Sequence, residues 1–247
     1  INSAKYATIG GNFIPSENIG EVLNQGIDAC VNWNDKVGED FTYNLGLNIT
    51  FTKNKLRKTN ELSNIEDYRK SIGQPTSAIF GWQSQGLFGK DVAIAGHPFQ
   101  SFGNYQVGDI AYADLNNDGM VDNNDQTRIG QSFPKTTLGV DVTLNYKGVG
   151  LYILGTATTG VTQMLTSTYY WNKGLDGYSV LAEDRYHPVN NPTGTQPRLT
   201  TTSGVNNYRN STFWTKNGSF FRFLFVELSY TLNNNSKKGI GKNYKFF

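Results

Sequence analysis

The chain has 247 residues, with 37% hydrophobic residues, 13% aromatics, 27 glycines and a formal net charge of +2. Few aliphatics beside many Tyr, Phe and Gly suit sheet surfaces and turns better than helix bundles, and the balanced charge, without a basic stripe, argues against a nucleic-acid partner. The single cysteine, Cys30, excludes an internal disulfide and a cysteine-based zinc site, and no run reaches the roughly 18 apolar residues of a membrane-spanning helix, which leaves membrane strands open.

The first predicted strand covers residues 27–34, where Ile27, Ala29, Val31 and Trp33 alternate with Asp28, Cys30, Asn32 and Asn34. A polar turn over 35–40 leads into 41–51. There Phe41, Tyr43, Leu45, Leu47, Ile49 and Phe51 alternate without error with Thr42, Asn44, Gly46, Asn48 and Thr50. Period two puts all the apolar side chains on one face of a strand. Its length exceeds that of an ordinary soluble strand and matches a tilted membrane crossing.

A long irregular stretch follows, from about residue 55 to 135. Within it, residues 114–125 reproduce the spacing of a twelve-position calcium loop. Oxygen-bearing Asp114, Asn116, Asp118, Asp122 and Asp125 stand at positions 1, 3, 5, 9 and 12, Gly119 at 6 and the Met120 carbonyl at 7. Calcium takes six to eight hard oxygens, and this spacing curls them around one centre. The alternative is an Asp/Asn-rich turn whose side chains cap its own backbone. The expectation is a structural Ca2+ that pins the loop.

Alternation returns over 138–146, and Lys147-Gly148 forms a tight turn into 149–158, which predicts a hairpin. A second long stretch, from about 161 to 218, carries Tyr169, Tyr170, Trp171, Tyr178 and Trp214. Flat aromatic faces beside Asn and Asp suit sugar binding by stacking; the alternative is that they pack the loop or form an interfacial girdle. Alternation over 226–232 closes the pattern, preceded by an aromatic 220–225 around Arg222 that reads either as a bulge or as a segment above the membrane.

The strand pattern by itself leaves a soluble sandwich and a membrane barrel both open; long strands, with Asn, Thr, Gly and Asp on the polar face and aromatics near the strand ends, suit the wet lumen of a barrel. Asp28, Asn44, Asn48, Asp141 and Asn145 then face the lumen. One barrel unit over 1–247 is expected, and such a piece alone, with open sheet edges and a bare apolar face, aggregates in water. Neither histidine, His97 or His187, belongs to a nucleophile set or a metal spacing, so no enzyme is expected.

Several segments together resemble the SusC-like (RagA-like) TonB-dependent outer-membrane transporters. They are Asn18, Gly20, Asn24, Gly26 and Asp28 before a strand; Gly81-Trp82 with Gly86 and Phe88; Gly108-Asp109 with Tyr112 running into the 114–125 loop; Arg128, Gly130 and Pro134; and Asn207-Tyr208, Ser211, Phe213-Trp214, Gly218 and Arg222. Their order and spacing hold from about residue 10 to 245, with departures at Tyr186-His187, Leu224-Phe225 and Asn233. The resemblance implies an all-β fold, part of an antiparallel transmembrane barrel of about 22 strands with long extracellular loops. It places the plug and the final strands outside this stretch. It also implies residence in the cell outer membrane and import of oligosaccharide or peptide, energised by the TonB complex and lidded by a SusD-like lipoprotein. The rival is a secreted, calcium-stabilised β-sandwich that binds glycans.

Overall fold

The computed structural model describes residues 19–62, 64–174, 177–200, 206–233 and 243–246; Asn18 of the first motif lies outside them. Six strands form one sheet whose spatial order is its chain order: β1 (Glu21–Val37), β2 (Phe41–Lys58), β3 (Thr136–Tyr146), β4 (Val149–Thr159), β5 (Phe220–Asn233) and β6 (Asn243–Phe246). The pairs from β2 to β6 are antiparallel. Strands β1 and β2 run 17 and 18 residues, well beyond the alternating segments that reveal them. Alternation is demanded only where the two faces meet different media, so the signal fades at 21–26 and 52–58 while the ladder continues.

Residue Phe41 pairs with Tyr146, so the turn at 38–40 and the turn at 147–148 share one end of the sheet. The long connections, 59–135 and 160–219, leave from the other. Lys147 and Gly148 take φ of 48° and 88°, the left-handed pair of a primed hairpin turn that matches strand twist. A Cβ on Gly148 would lie 2.7 Å from the Thr231 carbonyl oxygen of β5. Glycine therefore serves both the turn and the neighbouring strand.

Register carries the apolar rows straight across the sheet. Leu45 pairs with Val142, Val142 with Ile153, and Ile153 with Val226; Tyr43, Leu144, Leu151 and Leu228 make the next row. Phe41, Tyr146, Val149 and Tyr230 form an aromatic-rich row beside the tight turns. Of the two readings of 220–225, the bulge is present. Phe225 pairs with Leu154 and Phe223 with Gly155, which leaves Leu224 as the extra residue. It resets the phase, so Phe221 and Phe223 join the same face as Val226 and Leu228.

The chain divides into two compact units. The sheet unit comprises Asn24–Lys53, Phe133–Val161 and Gly218 onward, and the other draws on Asn54–Ser132 and Thr162–Asn217. The two stretches that read as irregular in the sequence fold together around a core of their own. Trp82, Leu87, Ile110, Tyr112, Val121, Tyr186 and Trp214 are buried there. The residues arrive singly, from short pairs such as Ser84–Leu87 with Ile110–Tyr112 and Thr162–Met164 with Thr215–Asn217. Such short elements carry no periodicity to read. The sheet buries almost nothing by comparison: Val226 is 59% and Leu228 66% exposed.

Candidate functional site

Two surfaces carry the chemistry, one in each unit. On the sheet, the face opposite the apolar rows aligns Asn44 with Thr143, Asn48 with Gly139, Thr156 with Arg222, and Tyr152 with Glu227. The Asp141 carboxylate lies over Gly46, where a Cβ would meet its Oδ1 at 2.0 Å. Asn44, Asn48, Asp141 and Asn145 thus share a face, as the parity requires. That face also carries an apolar strip the parity does not show: Leu154 and Phe225 pair on it, and the Phe225 ring lies 6.0 Å from that of Tyr152.

In the loop unit, strand Ile110–Tyr112 is wholly buried. One edge pairs with Ser84–Leu87, and side-chain amides complete the other. Asn207 Oδ1 accepts from the Ile110 N–H at 2.9 Å, and the Ile110 carbonyl accepts from Gln100 Nε2 at 3.1 Å and Asn206 Nδ2 at 2.9 Å. Gln100 Oε1 then accepts from the Tyr112 N–H at 2.7 Å. Three amides stand in for a missing strand, because a buried backbone group must find a partner.

Asp109, 1% exposed, anchors the frame. Its Oδ1 accepts from Asn207 Nδ2 at 2.7 Å, and its Oδ2 from the Gln106 N–H at 2.8 Å and Arg198 Nη2 at 3.1 Å. Arg198 Nε approaches Oδ1 to 2.8 Å as an ion pair without hydrogen-bond alignment. Burial raises the hydroxyl pKa of Tyr112, and that of Tyr208 is pushed up to about 12 by the same cause. Both therefore act as donors, Tyr112 to the Asn206 carbonyl at 2.8 Å and Tyr208 to that of Asn172. The Arg209 guanidinium stacks 3.7 Å from the Phe102 ring centroid, and burial lowers its pKa.

The 114–125 loop is tied by its own carboxylates. Asp114 accepts from the N–H groups of Asn117 and Gly119, Asn116 Oδ1 from that of Asp118, and Asp118 from that of Met120. Asp122 and Asp125 form the capping box of the short helix Asn123–Asp125. The two Asp125 oxygens accept from Leu115 N at 2.7 Å and Asp122 N at 2.8 Å. Among the described residues no three His, Cys, Asp or Glu side chains gather as a metal-holding group. In this arrangement the carboxylate and amide oxygens cap the loop's own backbone. Asp125→Ala is expected to remove two buried acceptors at about 1 to 3 kcal/mol each. Amide exchange at Leu115 and Asp122 should rise by orders of magnitude; Asp118→Ala, on the exposed turn, should leave those amides protected.

The five aromatic candidates do not converge. Trp214 is 2% exposed, its Nε1 donates to the Asn207 carbonyl at 2.7 Å, and Phe213, Tyr208 and Trp171 surround it at 4.9, 6.2 and 6.3 Å. Its ring faces are occupied by the core, and Tyr170 and Trp171 pack partly buried against it. Tyr169 and Tyr178 are exposed, the latter donating to the Gly174 carbonyl at 2.7 Å. Sequence reasoning missed Gln100, Arg198 and Asn206 altogether. Asp109 and Asn207 lay within the quoted motifs, but nothing in their spacing revealed that they touch.

No family model matches the chain. It is 25% identical over 228 residues to TonB-dependent receptor P26 of Formosa agariphila, which covers 87% of this chain and 23% of the relative. To TonB-dependent receptor P3 of the same organism it is 22% identical, covering 87% and 22%. The chain thus spans less than a quarter of the length of these relatives. Among solved structures, the RagAB peptide transporter aligns with TM-score 0.67 at 17% identity, covering 95% of this chain and 26% of that one. The RagAB peptide importer in its open-open state aligns with TM-score 0.66 at 16% identity, covering 95% and 25%. The likeness shows the fold: six strands and two folded connections of a larger barrel.

Proposed function

We infer that this chain, a stretch of a SusC/RagA-like TonB-dependent receptor of the outer membrane, supplies barrel wall and external loops to a nutrient importer. The carrying observation is the set of aligned apolar rows, such as Leu45, Val142, Ile153 and Val226, that no second layer covers among the described residues. A soluble sandwich would bury such rows against another sheet. Here hydrocarbon takes that place, and the face bearing Asn44, Asn48, Asp141 and Glu227 lines water. The connections 59–135 and 160–219 leave the sheet from one end, and that end is taken as external, where such barrels carry their long loops. The cargo is an oligosaccharide or a peptide, handed down by a SusD-like lipoprotein, and TonB drives release through parts of the protein outside this stretch. Of the five aromatic candidates, Tyr169 and Tyr178 are the two whose rings are exposed to a ligand. The reaction is transport, with no bond made or broken.

Single cysteines introduced into the full-length receptor carrying Cys30→Ser test the wall directly. In vesicles, Val142→Cys and Val226→Cys are expected to resist a water-soluble maleimide and react with a membrane-confined one. Asn44→Cys and Asn48→Cys should show the reverse. Equal labelling of both sets by the aqueous reagent would remove the membrane reading.

A further inference from the structure

Beside Asp109 the loop unit holds a cleft of about 510 Å³ whose polar lining is Gln106, Arg185, His187 and Arg198, with Tyr186 among its apolar walls; no carboxylate lines it. Its walls are held by backbone bonds: Tyr186 N to Gln196 O at 2.8 Å, His187 N to Asn191 O at 3.0 Å, and Arg198 N to Gly108 O at 2.9 Å. Gly108 has φ +91°, and a Cβ there would sit 3.0 Å from Tyr186 Cδ1 and 3.1 Å from Arg198 Cβ. Only glycine lets these two residues close on that turn.

The lining is rich in donors. His187 Nδ1 accepts from the N–H groups of Val189 at 3.2 Å and Asn190 at 3.0 Å, which puts the proton of the neutral ring on Nε2. Asp109 balances the charge of Arg198. Arg185 donates only to the Ala182 carbonyl at 3.2 Å, and no carboxylate among the described residues pairs with it. A guanidinium with no carboxylate partner among the described residues, an imidazole N–H and an amide match a monoanion with two planar oxygens. We propose that this cleft recognises a carboxylate on the imported ligand, either a peptide C-terminus or the acid group of a uronate sugar. The proposal deepens the import reading and rests on it for the consequence in transport.

The test is calorimetry on the full-length receptor in detergent. The probes are trialanine against trialanine amide, and trigalacturonate against its neutral methyl ester. The acid form of one pair is expected to bind, its capped form to bind about ten-fold or more weakly, and Arg185→Gln to abolish that difference. Which pair responds identifies the source of the carboxylate. Arg185→Lys should restore part of the preference, and added salt should weaken the acid probe alone. The proposal is overturned if acid and capped forms bind alike, if neither acid binds, or if Arg185→Gln holds the acid as the wild type does. The cysteine-labelling pattern is independent of all three outcomes, so a failed cleft and a failed barrel remain distinguishable.

Discussion

Replacing Asp109 by alanine is expected to destabilise the loop unit by about 3 to 5 kcal/mol, the cost of removing one partner from a buried ion pair. The loss falls on several groups at once. Arg198 would keep its charge beside a cavity, Asn207 Nδ2 would lose its acceptor, and the Gln106 N–H would be orphaned. Asn207 in turn holds the Ile110 N–H and, through its carbonyl, the indole of Trp214. Damage at Asp109 therefore reaches the edge of the buried strand and the aromatic core together. Limited proteolysis of the full-length receptor should show new cleavage within 100–130 and 170–215, with barrel strands still protected. A double-mutant cycle with Arg198→Met should return a coupling energy above 1 kcal/mol, at the scale of contacting charged pairs. A receptor whose loops resist protease as the wild type does would refute the anchoring role.

The second large effect belongs to the sheet. Val142→Arg puts a guanidinium in the row between Leu45 and Ile153, and the expected cost is about 2 to 4 kcal/mol near the bilayer midplane. The adjacent Thr143→Arg points to the other face, between Asn44 and Tyr152, and should cost little, because water reaches it. Urea titration of the folded receptor in phospholipid vesicles would separate the two. The contrast matters more than either value, since neighbouring positions share local propensity and differ only in the medium they meet. Equal costs would mean that both faces see the same surroundings, and the lipid-facing assignment would fall.

The sheet was legible because a strand between two media must alternate. Residues 41–51 and 138–146 show that alternation without error, and their register follows from the two apolar rows coinciding. The Lys147-Gly148 turn was legible from its chemistry, and the bulge at Leu224 from aromatic residues doubling where one face should have been polar. The extensions to Glu21 and Lys58 were not legible, because strict apolar–polar alternation lapses there while the strands run on. The 114–125 loop was found by its spacing, yet spacing alone did not show whether its oxygens serve a cation or the loop's own amides. In the folded loop they accept from the N–H groups of Leu115, Asn117, Gly119 and Asp122.

The sequence by itself determined which side chains share a face of each long strand and where the tight turns fall. Each of these is written in neighbours along the chain, at period two or in a turn dipeptide. Only the tertiary structure decided that two long connections build one core, that Asn207 meets Asp109 and Trp214 lies sealed behind them, and that Arg185 and Arg198 line one cleft. Those contacts join residues tens of positions apart, and no local periodicity records a partner at that distance, because the hydrogen bonds and packing that select it exist only once both segments are folded.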